Sequence, residues 1–110
     1  IYARSVSEQG VVTVSLLVAK SKVAPIKQLS IPRLELCGML LGTALVEAVT
    51  RSLKEIDIVA TAVYGWTVST IALAWIADTP MVWNTFVANR VSQIQDIMAI
   101  ECWHLFLIHI

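Results

Sequence analysis

A net charge is missing from this chain: eight acidic and eight basic residues cancel, and together they make up 15% of the 110 residues. No long-range field therefore steers the whole chain toward nucleic acid or any other polyanion. Cysteine is scarce too. Cys37 and Cys102 lie far apart, form no C-x-x-C pair and no metal-ligand pattern, and read as cytosolic thiols. The four glycines are dispersed, which excludes a Gly-rich phosphate loop, and Ser69 stands outside any G-x-S-x-G context. The first residues, Ile1-Tyr-Ala-Arg4, carry no initiator Met and no charged-then-apolar signal layout. The chain thus reads as a piece of a longer protein, in the cytoplasm or nucleus and not secreted.

What is abundant is apolar side chain. Hydrophobic residues reach 57% and the mean hydropathy is +0.75, against about 45–50% apolar in ordinary soluble domains. At this length the chain is one small domain or part of one. So high an apolar content in a short chain is what a core looks like when some of its covering is elsewhere.

Two β-rich runs come first, Ile1–Ser7 and Val11–Ala19, joined by Glu8-Gln9-Gly10. They predict a hairpin with Gly10 at the turn. The second run alternates at Val12, Val14 and Leu16 and then turns continuously apolar, as a strand buried on both faces would. Lys20 to Leu29 is a basic, proline-interrupted connection. Lys20, Lys22, Lys27 and Arg33 gather there, ahead of the first long apolar segment.

Ser30-Ile-Pro32 then opens a helix, with Ser30 as cap and Pro32 in the first turn, where its missing N–H costs nothing. Apolar residues recur from Leu34 to about Leu53 and leave little polar face in the first three turns. Such a helix belongs in a core or in lipid. Gly38 and Gly42 make a G-x-x-x-G step, which fits close approach of the helix to a sheet better than a membrane dimer face.

Ile58 to Ala77 is a run of 20 uncharged residues, about the length a bilayer needs. One reading is therefore a small membrane protein spanning once at 58–77. The other is a buried strand over Ile58–Tyr64, a turn at Gly65–Thr67 and a short helix over Ser69–Ile76. β-Branched residues, the interruption at Gly65-Trp-Thr67 and the acidic flanks Asp57 and Asp78 favour the second reading. Asp78-Thr79-Pro80 ends that helix. Trp83 to Met98 is the clearest amphipathic helix: Val87, Val91, Ile94 and Met98 face one way, and Asn89, Ser92, Gln93 and Asp96 the other. The order β-β-α-β-α-α is that of an α/β domain with a mixed sheet.

Three phrases in this order resemble one family. They are Ala19-Lys-Ser-Lys-Val-Ala-Pro25 with Ile31-Pro-Arg-Leu-Glu-Leu-Cys37, then Trp66-Thr-Val-Ser-Thr-Ile-Ala-Leu-Ala-Trp-Ile76, then Trp83-Asn-Thr-Phe-Val-Ala-Asn-Arg-Val91. Together they are similar to the ribonuclease H-like region of BEL/Pao retrotransposon polyproteins, which follows the reverse transcriptase. The likeness runs from about Tyr2 to Trp103. It divides the chain into a partial ribonuclease H-like domain over 1–103 and a divergent apolar tail over 104–110.

The resemblance implies a five-stranded mixed sheet flanked by helices, here without its first, central strand. It also implies two Mg²⁺ ions held by about four carboxylates, because Mg²⁺ is a hard cation bound beside substrate phosphates while the RNA strand of an RNA–DNA hybrid is cut. Glu35 matches the acid on the long helix. The family's Trp-Ser-Asp-Ser-Thr stands here as Trp66-Thr-Val-Ser-Thr70, so Val68 replaces the central metal-binding aspartate. The first acid of the family lies before the counterpart of Tyr2. The last follows a His-Val-Pro…Asn-Pro-Ala-Asp segment that Trp103–Ile110 does not contain. One carboxylate makes no two-metal site, so no metal and no cofactor are expected, with Mg²⁺ implied only for an intact family site. Glu35 also has a plain structural reading, as an acid in the first turn of a helix, where it favours the macrodipole.

The resemblance therefore implies a degenerate, catalytically inactive ribonuclease H-like domain. Its partners would be the reverse-transcriptase portion of the parent polyprotein and RNA–DNA hybrid, touched through Arg33, Lys20 and Lys22; a membrane is not expected. Leu105-Phe-Leu-Ile-His109 can be encoded by bases that read Leu-Val-Pro-Asn-Ser one nucleotide out of frame, which points to a frameshift near Trp103–His104. A family-like phrase in neither other frame of the gene would end that idea. His104 and His109 read as incidental, Asp78-Thr-Pro80 as a helix-ending turn, and Trp66 and Trp75 as core rather than base-stacking residues. Unpaired strand edges on an apolar sheet predict a chain that is poorly soluble or molten alone.

Overall fold

Three helices hold the only extensive core in the computed structural model, which describes residues 1–24 and 29–106. The first, α1 (Ile31–Glu55), starts as its sequence predicts. The Ser30 hydroxyl accepts a hydrogen bond from the Arg33 amide at 3.4 Å, and Pro32 lies in the first turn. It ends in a two-bond cap: the amides of Asp57 and Ile58 donate to the carbonyls of Lys54 and Leu53, and Asp57 takes φ +60°. That left-handed position ordinarily goes to glycine.

Helices α2 (Thr70–Ile76) and α3 (Thr85–Ile97) are capped alike. The Ser69 hydroxyl accepts from the Ala72 amide at 3.0 Å, and the Asn84 side-chain oxygen accepts from the Val87 amide at 3.1 Å. A single 3-10 turn at Pro80–Val82 separates them. Two side chains tie the pair together across that turn. The Trp83 indole N–H donates to the Trp75 carbonyl at 3.0 Å. The Gln95 amide donates to the carbonyls of Ile76 and Asp78, satisfying oxygens that the end of α2 leaves without helical partners.

Leu36 and Met39 of α1, Ala72 and Ile76 of α2, and Val87, Val91 and Ile94 of α3 form the buried cluster. The apolar stripe expected on α3 is thus the stripe that is buried, and Met98 joins it at 4% exposure. Thr43 is also fully buried, and its hydroxyl is satisfied by the Leu40 carbonyl at 2.8 Å. α1 does not meet its expectation of burial all round: only Leu36, Met39 and Thr43 are buried along its 25 residues. The reason is geometric, because α2 and α3 cover the first half of one side and nothing comparable among the described residues covers the rest. G-x-x-x-G makes no tight contact here, and a methyl added at Gly38 or Gly42 would meet open space.

The hairpin forms as predicted, with β1 (Tyr2–Val6) antiparallel to β2 (Val12–Leu16) and Gly10 at φ +81° in the turn. Every residue of β2 is exposed, against the expectation of a strand covered on both faces. The pairing Tyr2 with Leu16, Arg4 with Val14 and Val6 with Val12 gathers the large apolar side chains on one face. No described element covers that face.

Among the described residues, two separate two-stranded sheets stand in place of the five-stranded sheet implied by the resemblance, and the mixed α/β class holds, with about 50% helix and 16% strand. Ile58–Tyr64 is irregular and mostly exposed, not a buried strand. The strand lies one step later. β3 (Gly65–Thr67), expected as a turn, pairs in parallel with β4 (Trp103–Leu105), which follows a 3-10 turn at Ile100–Cys102. A strand forms where a partner offers hydrogen bonds, and β4 reaches only these three residues. The pairing continues with the Phe106 amide donating to the Thr67 carbonyl at 2.8 Å. Gly65 is required there, since a Cβ would sit 2.7 Å from the Trp103 ring.

Residues 58–77 thus divide into an irregular segment, a strand and a helix. The helix long and apolar enough to cross a membrane among the described residues is α1, with 17% of its most apolar window buried. Pro25, Lys27 and His109 lie outside the described residues.

Candidate functional site

Val68 lies at the junction of β3 and α2. Thr67 is buried, and its hydroxyl accepts from the Ser69 amide at 3.2 Å, a local bond that sets the turn into the helix. Between them Val68 points outward, 50% exposed. A side chain here is open to solvent and to any ligand on this surface, but an isopropyl group offers no lone pair to a cation.

Glu35 sits half-buried in the second turn of α1, not the first, with Leu36 beside it in the core. The macrodipole argument for it is correspondingly weaker, since the effect fades within the first turn. Glu35 makes no hydrogen bond or ion pair among the described residues, and none of these residues forms a group of three His, Cys, Asp or Glu able to hold a metal. A hard divalent cation needs several oxygen ligands at once. The residues present do not fit a Mg²⁺ pair.

Of the cations singled out, Arg33 is engaged. Its guanidinium lies 4.9 Å from the centre of the Phe86 ring, and Arg90 lies over the same ring at 3.6 Å while donating to the Phe86 carbonyl at 3.1 Å. The Arg33 contact joins the start of α1 to α3, whereas the Arg90 contact lies within α3. Arg90 was not anticipated, although its i, i+4 spacing from Phe86 is the signal that would have found it. Lys20 and Lys22 are exposed in the connection before α1, and no contact among the described residues joins them to Arg33.

Trp75, Trp83 and Trp103 pack against the core, as expected of Trp75. Trp66 does not: it is 59% exposed, because β3 turns this side chain away from α2 while it turns Thr67 inward. His104, expected to be incidental, stands directly across the ladder from Trp66. Their ring centres are 5.8 Å apart, and Tyr64 lies 6.1 Å from Trp66 and 5.9 Å from His104. The three rings are tilted and form one open aromatic surface.

A family model described as the Pao retrotransposon-like RNaseH-like domain matches residues 1–69. The match covers the hairpin, α1 and the Trp66-Thr-Val-Ser69 junction, and it stops short of Trp103, where the resemblance was expected to end. No curated protein and no solved structure matches the chain.

Proposed function

The chain belongs to the Pao retrotransposon-like RNaseH-like domain family, and from that premise we propose that it is a degenerate ribonuclease H-like segment of a retrotransposon polyprotein, without nuclease activity. The observation that carries this reading is Val68, which occupies the place of the family's central aspartate in Trp66-Thr-Val-Ser-Thr70. Carboxylates supplied from outside these residues would still find a valine there. Glu35 alone cannot hold a pair of divalent ions against the charge of a scissile phosphate.

What remains to such a domain is binding. Arg33, Lys20 and Lys22 supply charge for the backbone of an RNA–DNA hybrid, with Arg90 beside Arg33. The reverse-transcriptase portion of the parent polyprotein would be the protein neighbour, and both partners belong to the cytoplasm or nucleus. A single span over 58–77 finds no support in the local structure, since those residues would have to abandon β3 and its pairing to become one helix.

The test is Mg²⁺-dependent cleavage of a labelled RNA–DNA hybrid by the chain and by Val68→Asp, with circular dichroism to establish folding. No cleavage by either folded protein is expected. Cleavage by the unmodified chain that disappears in Glu35→Ala would restore the enzyme reading.

A further inference from the structure

The chain holds three methionines, and the fold gives their sulfur atoms opposite surroundings. Met39 lies in the cluster shared by the three helices at 5% exposure, and Met98 closes α3 at 4%. Met81 is 95% exposed. A thioether side chain is apolar and fills irregular core gaps well, so burial is its ordinary condition.

The 3-10 turn at Pro80–Val82 is what holds Met81 out. The Val82 amide donates to the Thr79 carbonyl at 3.2 Å and the Trp83 amide to the Pro80 carbonyl at 3.1 Å, which fixes the backbone on both sides. Trp83 then turns inward, packing against the core while its indole N–H bonds the Trp75 carbonyl. With the turn fastened to the inside at Trp83, Met81 in its middle is left in water. Its exposure belongs to an anchored turn rather than to a frayed end.

We infer that Met81 is a selective and reversible oxidation site, at which the thioether takes one oxygen atom from a hydroperoxide. With hydrogen peroxide, a sulfur lone pair attacks one peroxide oxygen and the S–O bond forms as the O–O bond breaks. The proton of the transferred oxygen passes to the other oxygen, which leaves as water. The sulfur loses two electrons and the peroxide gains them, which yields the sulfoxide. This reaction needs contact with the oxidant and no ionisation, so exposure ranks the three sulfurs. Met39 and Met98 react only while the packing around them is open. A sulfoxide is strongly polar: at Met81 it meets water and leaves the fold intact, whereas at Met39 or Met98 it would be driven into the helical core. The cysteines compete by a different route, since Cys37 and Cys102 are half-buried and react as thiolates. Loss or retention of nuclease activity has no bearing on this chemistry.

The experiment exposes the 110-residue chain to hydrogen peroxide and follows the added oxygen by tryptic peptide mapping. Cleavage after Arg33, Arg51, Lys54 and Arg90 places each methionine on its own peptide, and the peptide with Met81 carries no cysteine. Fragmentation of that peptide locates the oxygen. Met81 should be oxidised first, with Met39 and Met98 slower by at least about tenfold, and the helical circular dichroism should stay unchanged after the first oxygen. In urea the three rates should converge. Methionine sulfoxide reductases A and B with dithiothreitol should together remove the oxygen from Met81. Met81→Leu should lose the fast phase alone and keep the helical signal. Equal rates at the three methionines without urea, first oxidation at Met39 or Met98, or a rate difference that persists in urea would each overturn the inference. So would loss of helix with the first oxygen, or a Met81 sulfoxide that the reductases leave in place.

Discussion

Leu36→Ala and Leu16→Ala remove the same atoms from two different environments, and the contrast tests where this molecule keeps its stability. Leu36 is fully buried in the cluster shared by α1, α2 and α3, whereas Leu16 is 57% exposed on the free face of the hairpin. A Leu→Ala change in a close-packed core costs about 3 kcal/mol, from lost transfer free energy plus the cavity left behind. At Leu16 most of the side chain already meets water, so the loss is below about 1 kcal/mol and falls on the hairpin alone. With a urea dependence of about 1 kcal/mol per molar, Leu36→Ala should lower the midpoint of helix unfolding by roughly 3 M. Leu16→Ala should move that helical signal by less than about 0.5 M. The assay is circular dichroism at the helical minimum across a urea series. Native-state amide exchange of the core amides of α3 serves where the transition is broad. A Leu16→Ala shift as large as that of Leu36→Ala would refute the reasoning, because it would mean that the hairpin face is packed against something in solution.

Three further outcomes follow from local geometry. Asp57→Gly relieves the left-handed residue that closes α1 and should stabilise the chain by roughly 0.5–1 kcal/mol in thermal melts; a lower melting temperature would contradict it. Ser69→Ala removes the cap of α2 and should cost about 1 kcal/mol, while Ser21→Ala, in the exposed connection, should cost nothing measurable by the same melts. Gly65→Ala drives a methyl into the Trp103 ring, so the pairing of β3 with β4 should be lost. Nuclear Overhauser contacts between Trp66 and His104 would vanish with it, and their persistence would show that the ladder tolerates the methyl.

The helices were legible because the forces that start and stop them act within a few residues. Ser30 and Pro32 marked the entry to α1, the spacing of Val87, Val91, Ile94 and Met98 marked α3, and Pro80 marked the end of α2. Gly10 did the same for the hairpin turn. That residue 68 offers a cation no lone pair was equally plain, since it is a valine. The strand at Gly65–Thr67 was not legible: its partner β4 lies in an apolar stretch with no turn residues to announce it, 38 positions away from Gly65 at Trp103. For the same reason Trp66 was assigned to the core. Apolar character says that burial would be favourable, and it does not say whether any element is placed to provide it.

The amino-acid sequence alone determined the helices, the hairpin with its turn at Gly10 and the lack of a donor atom on Val68, because capping bonds, side-chain periodicity and the atoms of a residue are local properties. Only the tertiary structure decided that the hairpin face stays open, that α1 is covered along part of one side, and that Tyr64, Trp66 and His104 meet on an exposed sheet. Those outcomes depend on which distant segments arrive to offer hydrogen bonds and cover, and hydrophobicity carries no address for them.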